Sequence, residues 1–207
     1  MGRKLCILLD PGHGTRAFTK GKRSPDNKLI EGEWAREFAD ILKNRLIEKG
    51  VSANVIVTEE KDVSLSNRCL RANTINKNLK NIGYDCIYIS IHCNAAPGNW
   101  WSNASGWSVW VYGNGSEKSK KMGKIMSDVS KEMKLTGNRW IPPTGYNEAN
   151  FYVLKNTNMS AVLCENMFMT NREDVEFLLS EEGKEKLLQL YIVSILQYMT
   201  IYNYDLN

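Results

Sequence analysis

The chain has 207 residues, a formal net charge of +4, and 43% hydrophobic and 24% charged residues. This composition excludes an intrinsically disordered chain, and the length suits one domain with a sizeable core. The basic excess is too slight, and its densest run KSKKMGK too short, for a nucleic-acid footprint, although it suits an anionic polymer. In chain order, RKLCILLD at 3–10 predicts a buried strand, and the polar stretch 14–30 a loop. A helix is predicted over about 32–49, stopped by Gly50. SANVIVTE at 52–59 reads as a second strand, and SLSNRCLRANTINKNL at 64–79 as a second helix with Ser64 as its N-cap. DCIYISIHCN at 85–94 is too apolar to be half exposed and should be a central strand. GWSVWVYG at 106–113 alternates as a fourth strand, and residues 117–135 read as a helix. A long loop through NRWIPPTGYNEAN leads to two short strands, FYVLKN at 151–156 and SAVLCENMF at 160–168. TNRE then offers a capping box, Thr170 with Glu173, into helical sequence running to about 202.

Strands alternating with helices predict an α/β domain whose mainly parallel sheet is covered on both faces. Five cysteines in no C-x-x-C pair, mostly within apolar runs, are expected to be buried free thiols. The apolar run before Asp10, LCILL, is only five residues long, too short for a secretory signal. The longest apolar run, LLQLYIVSILQYM, is too short for a membrane span. The expectation is a single soluble domain over residues 1–207, a monomer with no membrane insertion.

In open α/β sheets function collects at the C-terminal ends of the strands. The only two histidines of the chain, His13 and His92, both follow or end apolar strands there. A lone histidine is more often structural, but two at one sheet edge suggest a zinc site, which needs a third protein ligand. Helical phase separates the candidate carboxylates. Glu31 is in phase with the apolar stripe Trp34, Ala35, Phe38, Ala39, Leu42 and Leu46, whereas Glu33 shares the polar face with Glu37 and Asp40. Glu31 could ligate the metal or serve only as a helix-dipole carboxylate. Glu165 interrupts an apolar strand. Either it pairs with a buried cation such as Arg68, or it faces the metal as a general base. Asp10 would cap the turn or orient an imidazole rather than ligate. DPGHG lacks the spacing of a phosphate-binding loop.

With these residues in view, the sequence resembles the zinc-dependent N-acetylmuramoyl-L-alanine amidases of the amidase-3 type, phage lysins included. The matching stretches are LDPGHG at 9–14, LIEGEWAREFA at 29–39, SLSNRCLRAN at 64–73, ISIHCNAA at 89–96, NFYVLKNT at 150–157 and AVLCENMFMTNREDVEFL at 161–178. The resemblance implies a mixed, mostly parallel sheet of about six strands with helices on both sides. It implies one zinc held by His13, Glu31 and His92, with Glu165 as the catalytic glutamate. The substrate would be peptidoglycan, cut between the lactyl group of N-acetylmuramic acid and L-alanine. No separate wall-binding domain is expected within 1–207, and a lysin of this kind would act on the wall after release during lysis.

Three further residues are candidate substrate contacts. Asn94 stands two residues beyond His92, Trp101 lies in a polar loop where a large aromatic is hard to bury, and Tyr146 could form a groove wall. Trp100 and Trp101 could equally plug the loop over the sheet. Two other readings keep part of this picture: a zinc peptidase cutting within the stem peptide, and a non-catalytic wall-binding component of a phage particle.

Overall fold

The structure is a computed structural model that describes residues 2–19, 22–98 and 100–206. The chain begins with β1 (Arg3–Pro11), α1 (Glu31–Glu48), β2 (Ser52–Val55), α2 (Leu65–Lys80) and β3 (Tyr84–Asn94). It continues with β4 (Ser108–Val111), α3 (Glu117–Glu132), β5 (Asn147–Glu148), α4 (Tyr152–Asn156) and β6 (Ser160–Phe168), then α5 (Arg172–Leu179), α6 (Glu181–Ile201) and β7 (Tyr204–Asp205). The strands form one sheet in the order β2-β1-β3-β6-β4-β5, with β7 beside β1. All pairs are parallel except β4 against β6.

The three long strands are central because neither face can meet water. On one face Leu5, Ile7, Leu9, Ile87, Ile89 and Val162 join the large core built with α1, α3 and α6. The opposite face carries Cys6, Leu8, Tyr88 and Leu163, which pack under α2 and α4. Trp34 and Phe38 stack at 4.9 Å in the large core, and the Trp34 Nε1–H donates to the Leu178 carbonyl at 2.9 Å. Truncating Phe38, fully buried there, would cost about 3–5 kcal/mol. All five cysteines are buried and unpaired. No helix among the described residues is long and apolar enough to cross a membrane.

The second face is the thinner one. Its cover ends in the five-residue α4, so the sheet edge beyond Leu163 is left open. This segment, FYVLKN, was expected to be a strand and is instead a helical turn. Its neighbour β4 pairs directly with β6, so no edge is left for it. Asn156 and Thr157 close the turn by donating to the carbonyls of Tyr152 and Val153 at 2.8 Å each. The expected capping box falls one residue off: Asn171 accepts from the Asp174 N–H at 3.1 Å, while the Thr170 hydroxyl accepts from Ala96 N–H at 2.9 Å. The expected long terminal helix breaks at Ser180, whose extended backbone (ψ 149°) lets its hydroxyl cap α6 through Gly183 N–H at 3.0 Å. The second strand stops at Val55, and the two-residue β5 and β7 were not foreseen.

Candidate active site

The turn after β1 is built from two arginines. Arg68 Nη1 donates to the Pro11 carbonyl at 2.6 Å, and Arg68 Nη2 and Arg36 Nη2 donate to the His13 carbonyl at 3.2 and 2.8 Å. These bonds hold His13 in the left-handed region, at φ +56°, where a non-glycine residue is strained. Gly12 is required beside it, since a Cβ there would fall onto the His92 ring. Gly32 has the same role at the start of α1, where a Cβ would overlap the Gly14 carbonyl. The turn and the helix can therefore close together, bringing His13 over Glu31.

The parallel register sets the remaining side chains. Asp10 is opposite Ser90, and His92 is opposite Glu165, so all four emerge on the open face. Beyond His92 the ladder slips: Asn94 pairs with Phe168, and Met167 takes up the extra residue at φ +60°. A bulge of this kind ends pairing and redirects the chain beside the site.

Asp10 is buried and accepts from Arg68 Nη1 at 2.5 Å, from Ser90 Oγ at 3.0 Å and from the Tyr88 hydroxyl. Arg68 is thus the partner of Asp10, not of Glu165. An ionised carboxylate can only accept, so Ser90 gives its proton to Asp10 and its lone pair faces His92 Nε2, 3.2 Å away. His92 Nε2–H can then donate to Ser90, and His92 Nδ1 lies 3.0 Å from Glu31 Oε1. When protonated this nitrogen donates to Glu31, and when deprotonated its lone pair is free to meet a metal.

Glu31 reaches this point from the first residue of α1. Its Oε1 accepts the Cys93 N–H at 3.0 Å, and its Oε2 is buried with no hydrogen-bond partner among the described residues, 3.5 Å from His13 Nε2. One donor atom from each of His13, Glu31 and His92 lies within 4.8 Å of the others. Burial pushes the His13 imidazole down to about 4, so at neutral pH its lone pair is available. Burial works against ionised Glu31, but the His92 hydrogen bond holds its carboxyl below the usual range. Burial also opposes a charged His92, and the same bond to Glu31 outweighs it.

Glu165 stands beside this trio with its Oε2 buried and unpartnered among the described residues. Burial raises its carboxyl to about 7, against the opposing charges of His92, Lys22 and Arg139. A buried carboxyl poised near neutrality next to a cluster of metal-type donors can take and return a proton. The site opens into a cleft of about 650 Å³ lined by His13, His92 and Glu165 on its floor and by Val63, Leu65, Phe151, Tyr152 and Leu163 on its walls.

The three candidate contacts from the sequence lie outside that lining. Asn94 sits past the bulge and its Oδ1 accepts from the following Ala95 N–H at 2.8 Å. Trp101 packs against the large core under the Arg172 guanidinium, 4.3 Å above its ring. Tyr146 packs against α3 at Gly123. Sequence reasoning missed Ser90, although its place two residues before His92 puts it on the same strand face. It missed Arg36, one helical turn after Gly32, and Tyr152, which a strand reading of 151–156 had hidden.

The chain matches the family described as N-acetylmuramoyl-L-alanine amidase (Amidase_3) over residues 7–197. The germination-specific N-acetylmuramoyl-L-alanine amidase of Bacillus subtilis is 28% identical, over 94% of this chain and 79% of that protein. The probable cell wall amidase LytH of Staphylococcus epidermidis is 25% identical over 94% of this chain, which spans 58% of that protein's length. The crystal structure of N-acetylmuramoyl-L-alanine amidase from Clostridium difficile 630 is 26% identical and superposes with a TM-score of 0.76, covering 96% of this chain and 98% of that one. The chain belongs to the Amidase_3 family of N-acetylmuramoyl-L-alanine amidases.

Proposed function

We propose that the chain hydrolyses the amide between the lactyl group of N-acetylmuramic acid and L-alanine in peptidoglycan, with one zinc ion held by His13, Glu31 and His92 and with Glu165 as general base and acid. The carrying observation is the buried, unpartnered Oε2 of Glu31 within a cluster of two imidazoles and a carboxylate. That donor set is one that zinc takes in catalytic sites, and an orphaned buried carboxylate oxygen is costly unless a cation meets it. Family membership supports the same reading.

When bound, zinc would polarise the scissile carbonyl and acidify water at the site. The protein's part follows from its own groups. His13 presents Nε2, and His92 presents Nδ1 because Ser90 and Asp10 fix its other nitrogen. Glu165, opposite His92 on the neighbouring strand, accepts the proton of the attacking water as the C–O bond forms. It then hands that proton to the departing alanine nitrogen as the C–N bond breaks, which regenerates the carboxylate after the amine leaves. The test is mass spectrometry of purified cell walls treated with zinc-loaded protein. A new amino-terminal L-alanine with no new reducing ends supports the amidase. A cut between stem-peptide residues would assign a peptidase, and binding to walls without soluble products would deny catalysis.

A further inference from the structure

Five aromatic side chains are exposed among the described residues: Phe18, Trp100, Trp140, Phe151 and Tyr152. Phe151 and Tyr152 line the cleft that holds His13, His92 and Glu165, Phe18 and Trp100 lie in the loops that follow β1 and β3, and Trp140 lies in the loop between α3 and β5, while the other exposed large apolar residues are aliphatic. Exposed aromatics gathered around one site mark a surface that meets something.

Four of them fall on two sides of the reacting centre. Phe151 and Tyr152 form a wall of the cleft between α2 and α4. Trp100 and Trp140 belong to the opposite side, on two loops tied to one another: Asn138 donates from Nδ2 to the Asn103 carbonyl at 2.6 Å and from its N–H to the Ser105 carbonyl at 3.2 Å. The first loop is also fastened to the end of β6, through Ser102 N–H to the Thr170 carbonyl at 2.7 Å. Arg139, next to Trp140 on the second loop, lies over the ring of Phe168 at 5.2 Å, and Phe168 is three residues along β6 from Glu165.

Trp100 and Trp140 are 69% and 74% exposed. The six-membered ring of Trp100 rests on the turn at Gly98 (φ +93°), where a Cβ would come within 2.5 Å of it. The ring is therefore supported from beneath and bare above. Trp101, the neighbouring ring, has no such free face, since the core and Arg172 cover it.

Resting on the amidase reading, the substrate has two arms that meet at the scissile amide, a peptide and a sugar chain. We propose that the Trp100 and Trp140 loops bind the glycan strand and that the α2–α4 cleft takes the stem peptide. Sugar rings present flat C–H faces that pack on indole, whereas the cleft offers the apolar walls Val63, Leu65 and Leu163 to a peptide's methyl side chains. Continuity with the site supports the assignment: a substrate laid across Glu165 must leave one arm on each side.

The test uses a Trp100→Ala, Trp140→Ala double variant with two measurements. The first is binding of purified glycan strands stripped of peptide, read by co-sedimentation and fluorescence. Each lost ring contact weakens binding about threefold to tenfold, so the double variant should bind at least about tenfold more weakly than the wild type. The second is the ratio of kcat/KM for peptide-bearing strands to that for a single-sugar muramoyl peptide, which should fall by a similar factor through KM. A wild type that does not bind peptide-free strands, or a variant that binds them equally well, overturns the assignment. So does an unchanged ratio. Absence of any amide cleavage would refute the amidase reading instead, and the binding measurement would still decide the surface.

Discussion

Replacing Ser90 with alanine removes one hydroxyl that sits 3.0 Å from Asp10 Oδ2 and 3.2 Å from His92 Nε2. Asp10 keeps Arg68 and Tyr88, so its charge stays compensated and the fold should lose only about 1 kcal/mol. His92 fares worse. Its Nε2 is left buried without the Ser90 partner, at about 1–3 kcal/mol, and the ring loses the contact that turns Nδ1 toward Glu31. This weakens zinc binding, since loss of such an orienting partner typically costs about 10–100-fold in metal affinity. Competition of metal-free protein against a chromogenic chelator measures this directly, with urea unfolding alongside to separate stability from affinity. Zinc affinity within twofold of wild type in Ser90→Ala would refute the reasoning.

Glu165 carries a pH signature in the metal-free protein. Its carboxyl is raised from 4.5 to about 7, so between these values the folded state holds a proton that the unfolded state has lost. Stability from this group is therefore complete below about pH 4.5, falls as pH rises, and levels off above about 7, for a total of about 3 kcal/mol at most. Glu165→Gln should remove that slope, and urea titrations at pH 5 and pH 8 will reveal it. In Gly12→Ala the new Cβ collides with the His92 ring, so zinc binding should be lost while circular dichroism retains the α/β signature. Asn171→Ala deletes the cap of α5 and should cost about 1 kcal/mol of unfolding free energy, with zinc affinity unaltered.

Much of the site could be read from local rules. Helical phase separates buried Glu31 from exposed Glu33, and each histidine follows or ends an apolar run, because helical periodicity and strand alternation are determined over a few residues. What escaped depends on partners distant in sequence. Whether 151–156 extends or coils is decided by β4 occupying the edge of β6, and Arg68 chooses Asp10 over Glu165 through the packing of α2. Trp101 is covered by Arg172, 71 positions away, so its loop environment in the sequence says little about its exposure. The shifted cap at Asn171 and the break at Ser180 are smaller cases: several adjacent residues could cap, and geometry selects one.

The central claim is that His13, Glu31 and His92 hold one zinc ion beside a glutamate that moves the proton. Its most direct test is a paired measurement on wild type and Glu165→Gln: zinc content per chain, and release of amino-terminal L-alanine from purified peptidoglycan. The account requires about one zinc in both proteins, with L-alanine termini released by the wild type alone. Release by Glu165→Gln at the wild-type rate, or a wild type that cleaves fully after zinc is removed, would contradict it.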